Sequence, residues 1–190
     1  MPTLMKRTMR NLVAGLNGLR RRIQGPRKPT SFTRIPLPVK GRLFVSAMPY
    51  GPYDTRNGIL KSYLRHRIPL VLMLVTDGEL EKKARRDIRG LYEKNGIAVH
   101  RLPIADLTAP RLDELDRALP ALVEHLQRGK LAVHCNAGVG RTGVIAACLT
   151  TAIMGCSGAE AIAHIREHMM TDLTDEQQRI ILKWASERQA

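Results

Sequence analysis

No acidic residue occurs before Asp54, a stretch that carries eleven lysines and arginines. From Asp54 onward 20 basic residues face 17 acidic ones, so only +3 of the net charge of +14 belongs to that longer part. The strong basicity is a property of the N-terminal region and does not mark the body of the chain as a binder of polyanions. Cysteine is scarce too. Cys135, Cys148 and Cys156 have no paired spacing, which excludes a disulfide-stapled fold and fits a reducing compartment. No Cys/His cluster has ligand spacing, which argues against a metal centre. Long apolar runs are missing: the longest, 68–75, holds eight residues, where a membrane-spanning helix needs about 20. The remaining composition, 44% hydrophobic and 25% charged over 190 residues, is that of one globular domain with an appendage.

The appendage comes first. Met5, Met9, Leu12, Leu16, Leu19 and Ile23 fall on one stripe at helical spacing, with Lys6, Arg7, Arg10, Arg21 and Arg22 on the opposite face. Gly15 and Gly18 weaken this basic amphipathic helix by about 1 kcal/mol each relative to alanine. Such a segment, 4–23, can lie on an anionic membrane, attract nucleic acid, serve as an import sequence or pack on the domain. Residues 24–40, with Pro26, Pro29, Pro36 and Pro38, read as a linker. This places an extension at 1–40 and the body of the chain at 41–190.

The body alternates strand and helix. Strands are expected at 43–46, 68–75 and 97–102, and helices at 57–67 and 79–95. A long helix from Leu112 ends at Gly129, with Pro120 inside it as a kink or a division into two. Ser157-Gly158-Ala159-Glu160 and Thr174-Asp175-Glu176-Gln177 have the pattern of capping boxes that open two final helices. The expected fold is α/β, a central, largely parallel sheet flanked by helices.

The most informative stretch is His134-Cys135-Asn136-Ala137-Gly138-Val139-Gly140-Arg141-Thr142. An apolar strand, 131–133, feeds it, and an apolar helical run, 144–154, follows. A glycine-bearing turn between a strand and a helix N-terminus gathers backbone N–H groups and the positive end of the helix dipole, a ready anion site. Gly138 and Gly140 allow close approach to a phosphate, and the planar fork of Arg141 matches two phosphate oxygens. The same field favours a thiolate at Cys135, a nucleophile for phosphorus. Cys148 and Cys156 fall in or beside the apolar helix and read as packing residues.

His134-Cys135, five residues, then Arg141-Thr142 resembles the signature loop of the cysteine-dependent protein tyrosine and dual-specificity phosphatases. The resemblance extends over roughly 41–188 in its order of elements. It implies that fold, with Cys135 as the nucleophile of a phosphocysteine intermediate. Arg141 and the amides of Asn136, Ala137, Gly138, Val139 and Gly140 would hold the phosphoryl oxygens. The Thr142 hydroxyl would steady the thiolate, and His134 would brace the loop. No metal or organic cofactor is required.

A departing oxygen needs a proton donor. Asp106, 29 positions ahead of Cys135, lies in Pro103-Ile104-Ala105-Asp106, a loop after a strand expected to neighbour the catalytic one. That context resembles the smaller dual-specificity enzymes, without the tryptophan of the tyrosine-specific ones. A turn-capping aspartate is the alternative, and Asp77 is the reserve acid. Gln177 resembles a water-orienting glutamine of the family and equally reads as a helix cap. The expected function is hydrolysis of phosphotyrosine, with phosphoserine and phosphothreonine alongside, on protein substrates in the cytoplasm or at a membrane surface; organelle import is the alternative location. Inositol phosphates, phosphoinositides and RNA 5′-phosphates are rival substrates. A phosphate-binding pseudoenzyme or membrane adaptor is the weaker reading given an intact Cys135, Arg141 and Asp106, and sulfur transfer would leave Arg141-Thr142 and Asp106 without their roles.

Overall fold

Alternating side chains on the strands divide the interior into two cores. Leu43 and Val45, Leu72 and Leu74, and Leu131 and Val133 face one side; Phe44, Val71, Met73 and Ala132 face the other. A computed structural model describes residues 32–188. In chain order its elements are β1 (Thr33–Ile35), β2 (Arg42–Ser46), α1 (Ile59–His66), β3 (Leu70–Met73), α2 (Asp77–Lys83), α3 (Ile88–Lys94) and β4 (Ala98–Arg101). They continue as α4 (Leu112–Leu126), β5 (Lys130–His134), α5 (Arg141–Met154), α6 (Gly158–His168) and α7 (Asp175–Ser186). The expected basic helix at 4–23 lies outside the described residues.

The sheet order is β1-β2-β5-β3-β4, with β1 antiparallel to β2 and every other pair parallel. β5 is central, Val133 aligning with Val45 of β2 and Leu72 of β3. Helices α4 to α7 cover the first face, where the apolar α5 is buried along most of its length. Helices α1 and α3 contribute Ile59, Tyr63, Ile88 and Tyr92 to the other. All parallel strands therefore end on one edge, where such sheets bind ligands.

Several expectations need correction. Residues 33–35 are not linker: they pair with β2, and Ile35 is fully buried. Pro36 and Pro38 follow the last paired residue and so cost the ladder no donor. The domain thus begins ahead of residue 41. The charged helix expected at 79–95 is two helices. Ala84 leaves helical geometry, and the Arg85 guanidinium donates to the carbonyls of Tyr50, Gly51 and Asp54. The Asp87 side chain then caps α3 at Gly90 N. Pro120 does not divide α4, which runs unbroken across it. Both expected capping boxes, at Ser157 and Thr174, are formed.

Candidate active site

β5 stops at His134, the loop 135–140 turns, and α5 starts at Arg141. Both neighbouring strands steady the turn. Leu74 N donates to His134 O at 3.0 Å, and Met48 N to Asn136 O at 3.0 Å. Cys135 is buried, and its sulfur accepts the Gly138 N–H at 3.2 Å. Gly138 has φ +81°, and a Cβ there would lie 2.5 Å from the carbonyl carbon and oxygen of Ser46. Only glycine lets the loop sit against the end of β2. Gly138→Ala is expected to cost about 1–2 kcal/mol for left-handed backbone and about 1–3 kcal/mol for the overlap, with loss of turnover. A thermal melt and a phosphatase assay check this; a variant unchanged in both would disprove the seating.

His134 lies beneath the loop, fully buried. Burial pushes its imidazole down to about 4, the nearby Arg141 charge adds to this, and the Cys135 carbonyl only partly opposes it. The ring is therefore neutral near pH 7. Nδ1–H donates to Cys135 O at 3.1 Å, which leaves Nε2 to accept from the Tyr92 hydroxyl at 3.0 Å. Tyr92 remains a phenol, since burial raises its pKa well above the ordinary value. A second buried phenol, Tyr63, lies 2.8 Å from Ser46 Oγ at the end of β2. Thr142 Oγ1 is buried with no hydrogen-bond partner, so the expected contact with the Cys135 sulfur is not made; the Gly138 amide is the sulfur's donor. The Asn136 side-chain oxygen is likewise buried and unpaired. Ala137, Val139 and Gly140 are partly exposed at the loop's rim.

Arg141 is 2% exposed and heavily held. Nη1 donates to Glu79 Oε2 at 2.6 Å and to Ile104 O at 2.8 Å. Nη2 donates to Glu79 Oε1 at 2.9 Å and to Asp106 Oδ1 at 2.8 Å. Glu79 is presented by α2, whose start is fixed by a capping box between Thr76 and Glu79. Burial alone would push the Glu79 carboxyl up, but the Arg141 guanidinium, the Thr76 amide and Lys83 together hold it below the ordinary carboxylate value. Lys83, one helical turn on, lies 3.3 Å from both Glu79 Oε1 and Asp106 Oδ2.

Asp106 thus reaches the arginine, though not by the expected route. β4 does not neighbour β5; β3 lies between them. After β4 the chain hugs the end of β3, Leu102 N donating to Met73 O and Ile104 N to Leu74 O. This carries Asp106 across to Arg141. Asp77 is not brought there: it pairs with Arg89 and Arg101. The loop tip is Leu107, 73% exposed with φ +65°. Behind it, buried Gln177 donates to Thr108 O at 2.8 Å while its oxygen accepts from Thr174 N, and a Cβ on Gly140 would lie 3.1 Å from that oxygen. The side chain is both helix cap and clasp.

A family model described as "Polymorphic toxin system, DSP-PTPase phosphatase" matches residues 60–153. That span takes in Glu79, Lys83, Asp106 and the whole loop from Cys135 to Arg141. The chain belongs to the protein tyrosine and dual-specificity phosphatase family. The chain is 36% identical over 80 residues to cyclin-dependent kinase inhibitor 3 of Sus scrofa, a match spanning 42% of the chain and 38% of that protein. Kinase associated phosphatase, crystallised with its catalytic-site cysteine replaced by serine, superposes with a TM-score of 0.70 at 24% identity, over 86% of this chain and 97% of that one. PTPMT1 in complex with PI(5)P superposes at 0.63 with 20% identity, over 76% and 90%. At these identities the two structures establish the shared fold. Glu79 and Lys83 beside Arg141, and Tyr92 beneath the loop at His134, are not among the residues expected from the sequence. Only Glu79 left a signal there, since Thr76-Asp77-Gly78-Glu79 has the capping-box pattern directly after an apolar strand.

Proposed function

We propose that this phosphatase hydrolyses phosphotyrosine on protein substrates, and phosphoserine or phosphothreonine at lower rates, through a phosphocysteine intermediate. The observation that carries the proposal is the meeting of Cys135, a buried Arg141 and Asp106 at one end of the sheet. The Cys135 thiolate attacks phosphorus in line; the S–P bond forms as the P–O bond to the leaving group breaks. Arg141 and the backbone amides of 136–141 hold the equatorial oxygens. Asp106 gives its proton to the departing oxygen. Its carboxylate then takes a proton from the water that attacks the phosphocysteine, which releases inorganic phosphate and restores the thiolate. The loop has Asn136 and Val139 and no lysine, which favours a singly phosphorylated protein side chain over a highly charged inositol headgroup.

Asp106→Asn tests the assignment. Turnover of a phosphotyrosine peptide is expected to fall roughly 10²–10⁴-fold, the scale of general acid catalysis. The loss shrinks for an aryl phosphate whose leaving group is already a stable anion. Comparison of kcat/KM on the two substrates decides it, and equal losses on both would remove Asp106 as the acid. Faster turnover of PI(5)P, phytate or triphosphorylated RNA than of the peptide would overturn the substrate class.

A further inference from the structure

The phosphate cradle lies between two rims of unlike charge. One rim is the loop 47–58, which leaves the end of β2 toward α1. Its head is bonded to the cradle, Met48 N donating to Asn136 O. Its one carboxylate, Asp54, is 4% exposed and turned inward, accepting from the amides of Tyr50 at 3.0 Å and Gly58 at 2.9 Å. The carbonyls of Tyr50, Gly51 and Asp54 go the other way, to the Arg85 guanidinium. These bonds hold Tyr50 and Asn57 at φ 56° and 50°, left-handed backbone that favours glycine. The loop is therefore fixed in shape, and what it shows to solvent is cationic. Arg56 is its exposed charge, and exposed Arg86 stands over the Tyr50 ring, 5.5 Å from the centroid. That contact steadies the guanidinium, which pairs with no carboxylate among the described residues.

The other rim is the segment 169–174 between α6 and α7. Its Met169 and Leu173 pack into the core on one face of the sheet, while Met48 and Tyr50 of the first rim pack on the other. It too touches the cradle: a Cβ on Gly140 would lie 3.3 Å from Asp172 O. The Asp172 side chain is exposed and pairs with no cation among the described residues. Asp175 and Glu176, both exposed, follow in the first turn of α7. A phosphorylated side chain that enters the cradle thus brings its main chain between a cationic and an anionic edge. We propose that the two rims are a docking surface for the peptide around the phosphoresidue and bind it in one direction, with an acidic flank at Arg86 and a basic flank at Asp172. Charges at the rim of a contact steer encounter and fix orientation more than they add affinity. The inference rests on the protein-substrate reading above.

Two phosphotyrosine peptides of one composition test it, one with glutamates before and lysines after the phosphoresidue, the other reversed. Equal composition cancels any general attraction of charge, so orientation alone tells them apart. Wild type is expected to favour one of the pair roughly three- to tenfold in kcat/KM at low salt, the scale of exposed charge pairs, mostly through KM. The preference fades as ionic strength rises past roughly 0.1 M, where the screening length is about 10 Å. Arg86→Glu and Asp172→Lys each shrink the ratio, and the double variant reverses it. Arg86→Lys, which keeps the charge, keeps the preference. Because the readout is a ratio within one protein, a variant that folds in lower yield leaves it unmoved. Equal turnover of the two peptides by wild type, or a preference that neither reversal changes, would overturn the docking surface and leave the protein-substrate reading standing. Turnover of PI(5)P with neither peptide accepted would remove that reading and this surface with it.

Discussion

With serine in place of Cys135, turnover is expected to fall on the order of 10⁶-fold, the scale seen when a covalent nucleophile is removed, while the folded protein still binds inorganic phosphate. The two outcomes separate because the chemistry and the cradle have different owners. A serine hydroxyl is a poor nucleophile without a base to activate it, and His134, neutral and committed to Tyr92 and to the Cys135 carbonyl, is not available as one. In the proposed mechanism the oxyanion grip comes from the loop backbone and Arg141, neither altered by the exchange. Steady-state assay of the purified variant and calorimetric titration with phosphate measure the two properties. Substantial remaining turnover would sink the nucleophile assignment; lost phosphate binding would show that the sulfur also builds the cradle.

Glu79→Ala is expected to damage both fold and activity. It leaves the Arg141 guanidinium, 2% exposed, without its bidentate partner, and breaking a buried ion pair in this way costs about 3–5 kcal/mol. For a domain of this size that corresponds to a fall in Tm of roughly 6–20 °C. The loss depends on pH in a defined sense. Folded Glu79 holds its proton less tightly than the unfolded chain does, whose ordinary value is 4.5. Its stabilisation is therefore complete above that value and disappears as the pH falls through the lower folded-state value. Wild type should lose stability on acidification faster than Glu79→Ala, and the two curves should converge at low pH. Thermal melts of both proteins from pH 3 to pH 7 test this, and parallel curves would show that the pair contributes nothing. Activity falls with stability, since an unclamped Arg141 no longer presents a fixed fork.

The residues that chemistry needs in one run of chain are legible in the amino-acid order itself: a strand, a turn with two glycines, a helix, and Cys135 and Arg141 at the turn's two ends. So is Asp106, through its context and its distance from Cys135. The less legible features depend on contacts distant in sequence. β1 is a strand because β2 pairs with it, and three residues beside two prolines carry too little pattern to say so. The break between α2 and α3 follows from Arg85 reaching carbonyls more than 30 positions away. Lys83 looks like any lysine on a charged helix until Asp106 is set against it. The route of Asp106 to Arg141 over the end of β3 follows from strand order, to which local pattern is blind.

Under the proposed mechanism the Gln177 clasp ties α7 to the loop that carries Asp106, a link that its distance from Cys135 along the chain conceals. One buried amide is at once the capping group of α7, the anchor of the acid loop at Thr108 and a neighbour of Gly140. Opening of α7 by fraying, or its release by a protease acting near Thr174, would therefore unfasten the acid loop while the sheet and the phosphate cradle stayed folded. Helix ends of this kind open at far lower free energy than a central strand such as β5. The proposed hydrolysis would then fail in a state that most probes of folding would score as native.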